Sequence, residues 1–111
     1  MAILHAEPGV AINLRPLGDA IATTKTHTLF KTDVMEAIRL VLPVGKTIAE
    51  HKAPGEITVQ CLEGCVNFFV GEKSHELNAG DMLYLESGKP HALEAIKDSS
   101  VLVTIVLNKA N

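Results

Sequence analysis

The apolar residues of this 111-residue chain fall in short runs, and each run is stopped by a glycine, a proline or a cluster of polar residues. VMEAIRLVL begins at Val34 and is closed by Pro43-Val44-Gly45, and ITVQCL begins at Ile57 and is closed by Glu63-Gly64. CVNFFV follows and is closed by Gly71-Glu72-Lys73-Ser74. HELN, MLYL, HALEAI and VLVTIVL come next, separated by Ala79-Gly80-Asp81, by Glu86 to Pro90 and by Lys97 to Ser100. Runs this short, rich in β-branched and aliphatic residues and so often punctuated, predict strands. VMEAIRLVL also fits a helical period through Met35, Ile38 and Leu42, but its terminators and its neighbours favour a strand. Many short strands in succession predict an antiparallel sandwich or a closed barrel, with no room for a full-length helix.

Residues 1–32 are patterned less clearly. Val10 to Leu14 (VAINL) predicts a strand, Pro16 to Asp19 punctuates it, and Ala20 to Thr24 has the length of one helical turn. His5 and His27 stand in this region without a partner at ligand spacing and read as surface residues, as does His75 further on. Composition adds bounds. A hydrophobic content of 47% with 21% charged residues is that of a folded chain, and the length suits a single domain over residues 1–111. Net charge is −3 and the ten Lys and Arg residues are dispersed, which argues against nucleic acid as a partner. No apolar run is long enough to span a membrane, and the first ten residues lack the basic start of a secretory signal, so cytoplasmic residence is expected.

Cys61 and Cys65 flank Leu62-Glu63-Gly64. A redox or metal pair is one reading. The C-x3-C spacing, the absence of a second pair at zinc spacing and the tight turn between them favour two free thiols.

The candidate chemistry lies between Gly45 and Ala95. Gly45 is followed by five residues and His51, and a closing glycine stands at Gly64. Gly80 is followed by five residues, Glu86, Ser87, Gly88, two more residues and His91, with Ala95 four residues beyond. The interval from Cys65 to Ala79 is 15 residues. This arrangement resembles the two motifs of the cupin superfamily, G-x5-H-x-H-x3/4-E-x6-G and G-x5-P-x-G-x2-H-x3-N, and most resembles its small stand-alone bacterial, RmlC-like members with a conserved barrel. The resemblance implies an all-β fold, a single-domain double-stranded β-helix (a jelly-roll barrel), with residues 45–95 carrying both motifs and residues 1–32 an N-terminal strand and turn region. It also implies a homodimer and, in metal-binding relatives, one ion held by two histidines and a carboxylate of the first motif together with the histidine of the second.

At two of those four positions this chain is apolar. Counting alternate residues from His51, one face carries Ala53, Ile57, Val59 and Cys61. The second histidine position is thus Ala53 and the carboxylate position Ile57. Glu56 falls on the opposite face with Thr58 and Gln60, and turns inward only if a bulge forms at Pro54-Gly55. In the second motif Leu93 and Ala95 share the face of His91. His51 and His91 are therefore the candidate metal ligands, with Glu56 conditional on the bulge, and Fe, Mn, Ni or Zn the candidate ions; two histidines alone rarely hold one.

Three classes of function remain open on these residues. One is a metal-dependent enzyme of dioxygenase, isomerase or lyase type whose metal site is completed by substrate, water or Cys61. Another is a small-molecule binding module with a largely apolar pocket formed by Ala53, Ile57, Val59, Cys61, Leu93 and Ala95, in which His51 and His91 are the polar contacts. The last is a dimeric scaffold. The ligand count favours the binding module without a tightly bound cofactor.

Overall fold

The computed structural model describes residues 5–107. Its strands are β1 (His27–Lys31), β2 (Met35–Leu42), β3 (Thr47–His51), β4 (Ile57–Glu63), β5 (Cys65–Val70), β6 (Lys73–Asn78), β7 (Met82–Leu85), β8 (His91–Ala95) and β9 (Ser99–Val106). One short 3-10 helix, Gly18–Ala22, precedes them. The runs predicted as strands from Val34 onward are strands. In the N-terminal region the prediction needs correction: Val10 to Leu14 is irregular, and the strand there is β1, where LFK follows the polar pair His27-Thr28.

The expected closed barrel also needs correction. The strands form two open sheets, a five-stranded one in the order β1-β2-β9-β4-β7 and a four-stranded one in the order β3-β8-β5-β6. From β2 onward the chain crosses between sheets at every connection except the β5–β6 hairpin. Each crossing passes through a glycine, a proline or a charged turn, so no ladder is carried around the corner from one sheet to the other. Edges are left at β1, β7, β3 and β6. A cleft of about 560 Å³, lined in part by Lys73, His75, Leu83 and Lys89, opens between β6 and β7. The fold is a sandwich of two antiparallel sheets packed face to face.

The facing surfaces supply the core. Leu42, Val59, Cys61, Val66, Phe68 and Val101 are almost fully buried between the sheets. Cross-strand pairing puts Ile38, Val103, Val59 and Leu83 in one row across the five-stranded sheet, all on the inner face. Gly64, between β4 and β5, has φ +83°, and a Cβ there would collide with the Asp98 carbonyl and the Ser99 hydroxyl. Only glycine satisfies both demands.

The outer face of the five-stranded sheet carries a buried ion pair. Arg39 is 3% exposed, and its Nη2 donates to Glu63 Oε2 at 3.1 Å, to Ser100 Oγ at 2.9 Å and to the Arg15 carbonyl at 2.7 Å. Glu63 also accepts from the Ser100 hydroxyl at 2.6 Å and from the backbone amides of Leu17 and Gly18. Glu63 reaches this face because β4 slips by one residue against β9: Cys61 pairs with Val101, but Glu63 pairs with Ser100. Without the extra residue, Leu62, the carboxylate would point into the core. The result ties the segment from Arg15 to Gly18 to three strands at once. Burial alone would raise the Glu63 pKa, but the bonds from Ser100, Leu17 and Gly18 and the Arg39 charge outweigh it and hold the carboxyl below 4.5.

Removing one member of such a pair strands the other. Glu63→Ala should destabilise the protein by about 3–5 kcal/mol. The double replacement Arg39→Met, Glu63→Ala should cost markedly less than the single one, as measured by urea unfolding.

Candidate functional site

His51 ends β3, His91 begins β8, and the two stand directly opposite each other. Ile48 pairs with Leu93 and His51 with His91, so Ala49 and Glu50 together face the single residue Ala92. This is a second bulge. Strict alternation from Ile48, whose side chain faces inward, would send Glu50 inward and His51 outward; the extra residue reverses them. The imidazole rings meet edge to face, with centroids 4.3 Å apart and planes at 64°. His91 also stacks on Phe68 at 5.5 Å with an interplanar angle of 15°. His91 is 6% exposed and His51 is exposed, so the pair runs from the core to the surface.

Both rings are held by a bond to the backbone two residues earlier. His51 Nδ1 lies 2.9 Å from the Ala49 carbonyl oxygen, and His91 Nδ1 lies 2.9 Å from that of Lys89. A carbonyl only accepts, so each Nδ1 carries the hydrogen. In the neutral rings each Nε2 then presents a lone pair, and neither has a hydrogen-bond partner among the described residues. His27 makes the same bond to the Lys25 carbonyl. The bond is therefore a local habit of extended backbone, and what sets His51 and His91 apart is the space they border.

That space is a cavity of about 240 Å³ between the sheets. Ile38 and Leu40 of β2, Ile57 and Val59 of β4 and Val103 and Ile105 of β9 form one wall. Ile48, Phe68 and Leu93 form the other, together with the two histidines. Of the residues singled out in the sequence, His51, His91, Ile57, Val59 and Leu93 line this cavity. Ala53, Cys61 and Ala95 do not. Cys61 and Ala95 are buried in the core beyond it, and Ala53 packs against that core from the turn after β3. The face count went astray at Ala53 because β3 ends at His51 and residues 52–56 do not continue its pleat. Ile38, Leu40, Ile48, Phe68, Val103 and Ile105 went unassigned in the sequence. Ile48 lies inside the first histidine motif itself; for the other five the signal is the alternation within β2, β5 and β9, strands to which neither motif points.

Glu56 is exposed, and its Oε2 accepts a 2.7 Å bond from the Tyr84 hydroxyl. It belongs to the outer side of the loop. Cys61 and Cys65 are both free and buried. Burial pushes the Cys61 thiol up to about 11, and its S–H donates to the Glu63 carbonyl at 3.4 Å, so it stays protonated and is a poor metal ligand.

The cupin resemblance implies a metal at this place, and the donor set does not fit one. Beside the two imidazoles stand hydrocarbon side chains, and no group of three or more His, Cys, Asp or Glu among the described residues is arranged to hold a metal ion. A catalytic zinc takes three protein ligands and a structural one four.

Residues 38–107 match the family model described as the Cupin domain. The chain belongs to the cupin family. Among solved structures, this cupin is similar to a conserved protein of unknown function from Streptococcus pyogenes, with 21% identity, a TM-score of 0.77 and 99% of this chain and 98% of that one covered. A cupin superfamily protein from Desulfitobacterium hafniense matches with 15% identity over 97% of this chain and 100% of its own, at a TM-score of 0.77. KdgF from Halomonas sp. matches with 15% identity over 76% and 80% of the two chains, at 0.69. At these identities the likeness is one of fold. No curated protein matches the chain. Among the described residues no helix is long and apolar enough to cross a membrane.

Burial pushes the His91 imidazole below its ordinary value of 6.5; the bond to the Lys89 carbonyl opposes this and His51 adds to it. The folded protein therefore binds fewer protons than the unfolded chain just below pH 6.5. His91 contributes stability that is fully present above that pH and is lost as pH falls toward its depressed folded value. An NMR titration should place the His91 midpoint below 6.5, and the acid-side loss of stability should be smaller in His91→Phe than in wild type.

Proposed function

We propose that this cupin binds a small, mostly hydrocarbon molecule in the cavity between its sheets, with His51 and His91 as its polar contacts. One observation carries the reading: of the eleven residues that line the cavity, nine are apolar and the other two are these histidines. An apolar concavity with few polar groups is the usual form of a ligand site. Its size, about 240 Å³, lies below the ~300–1,000 Å³ of sites for drug-sized molecules, so the ligand is small. A metal-dependent dioxygenase, isomerase or lyase would need donors that the wall does not provide. The two buried free thiols suit a reducing compartment, which supports cytoplasmic residence.

The test is thermal stability against a panel of one-ring aromatics and short branched alcohols. A ligand held only by the folded state, at a hundred times its Kd, adds about 2.7 kcal/mol and raises Tm. Val103→Phe, which places a ring in the cavity, should leave the protein folded and abolish the shift. A panel without effect on Tm overturns the reading.

We also propose that the chain pairs with itself. Met82 and Tyr84, 62% and 61% exposed, stand together on the outer face of the edge strand β7, an apolar surface with an open strand edge beside it. Sedimentation velocity should show a dimer for the wild type and a monomer for Met82→Glu.

A further inference from the structure

The two imidazoles reach the cavity in one hydrogen-bonding state, and that state restricts what they recognise. Because each Nδ1–H is committed to a backbone carbonyl, a neutral ring has only its Nε2 lone pair to offer. The rest of the lining consists of Ile, Leu, Val and Phe side chains, with no hydroxyl, amide, ammonium or guanidinium among them. The site thus holds two acceptors and no donor. A carboxylate or phosphate placed there would lose its hydration and turn its own lone pairs toward those of the imidazoles. Nothing on the wall would compensate it. An ether or ketone fares little better. A hydroxyl group, by contrast, supplies the hydrogen that both Nε2 atoms lack.

Size narrows the choice further. An apolar cavity of about 150 Å³ is enough to hold benzene, so one of about 240 Å³ leaves room for a single ring and one short substituent. The stacked pair His91 and Phe68 gives such a ring an aromatic surface to lie against.

We propose, on the binding-module reading above, that the ligand is a neutral, compact hydroxyl compound, a simple phenol or an alcohol of similar bulk, whose O–H donates to an imidazole Nε2 of the His51–His91 pair. Its hydrocarbon body fills the cavity, and it carries no second polar group, because none would find a partner.

Four probes that share one ring and differ in the group presented to the histidines test this. They are 4-methylphenol, 4-methylanisole, p-xylene and 4-methylbenzoate, titrated by calorimetry into EDTA-treated protein at about pH 8, where imidazoles and simple phenols are both neutral. The methylphenol should bind about tenfold or more tighter than p-xylene and methylanisole, the worth of one buried hydrogen bond, and methylbenzoate should not bind. In His91→Phe and in His51→Phe this preference should shrink, while p-xylene still binds and reports an intact cavity. Either variant alone suffices if the other does not fold. Binding of p-xylene or methylanisole as tight as that of methylphenol would leave the pocket standing and overturn the donor rule. Tightest binding of methylbenzoate, or its binding only after Zn2+ is added, would show that the pair reads anions or holds a metal, and would overturn it too. Failure of all four probes would take the binding-module reading down with it.

Discussion

The side-chain alternation of a strand, and two places in β3 and β4 where it slips by one residue, govern this molecule. A period of two assigns every residue to the core or to the outside, and a single inserted residue reverses the assignment of those after it. In β4 the insertion of Leu62 carries Glu63 outward onto Arg39 and the N-terminal segment. In β3 the extra residue within Ala49-Glu50 carries His51 inward beside His91. In one case a carboxylate that would be ruinous in the core becomes the clasp of the outer face. In the other, an imidazole that would otherwise be solvated becomes part of the cavity rim. Both slips sit at the end of a strand, where the ladder has little left to lose.

This explains which parts of the structure were legible in the sequence. Strands β2, β4, β5, β7, β8 and β9 can be read because their apolar runs are long enough to show and are closed by glycine, proline or polar turns, whereas β3 and β6 are mostly exposed and polar. The inner face of β4 could be read as well, since Ile57, Val59 and Cys61 alternate without interruption. Bulges leave no such trace. Ala49-Glu50 looks like any other step of a strand, whereas Pro54-Gly55, the conspicuous place to expect one, is simply the turn between sheets. The closed barrel is not legible for a related reason: strand count and turn spacing are the same for a closed cylinder and for two open sheets. What separates them is whether hydrogen bonds continue around the corners, which sequence does not display. β1 went unseen because only Leu29 among its residues is fully buried, so its pattern is diluted by His27, Thr28 and Lys31.

The clasp and the cavity lie on opposite faces of the same three strands. β2, β4 and β9 send Ile38, Leu40, Val59 and Val103 to the cavity and Arg39, Glu63 and Ser100 to the clasp. A charged cluster that fixes the relative positions of these strands also fixes the spacing of the aliphatic wall on their other side, because a strand is too stiff to adjust one face alone. A cavity needs such support: its lining lacks packing partners on one side, and a softer sheet would close over the void. An ion pair is a poor source of net stability but a good source of register, and register is what this wall requires.

The metal site that the resemblance implies and the cavity seen here share His51 and His91, and they are alternatives in chemical terms. By the motif count Ala53 and Ile57 fall at the positions of two ligands. Ile57 lines the cavity, while Ala53 lies in the turn that begins as β3 ends. Hydrocarbon at such positions brings neither charge nor donor, so the hollow favours a body with little hydration to lose. What the two histidines can do depends on their surroundings. An imidazole whose Nδ1–H is tied to a carbonyl is oriented as a metal ligand would be, and it is equally oriented as an acceptor for a hydroxyl group. The decision between them is made by the neighbours, and here the neighbours are isoleucine, leucine, valine and phenylalanine.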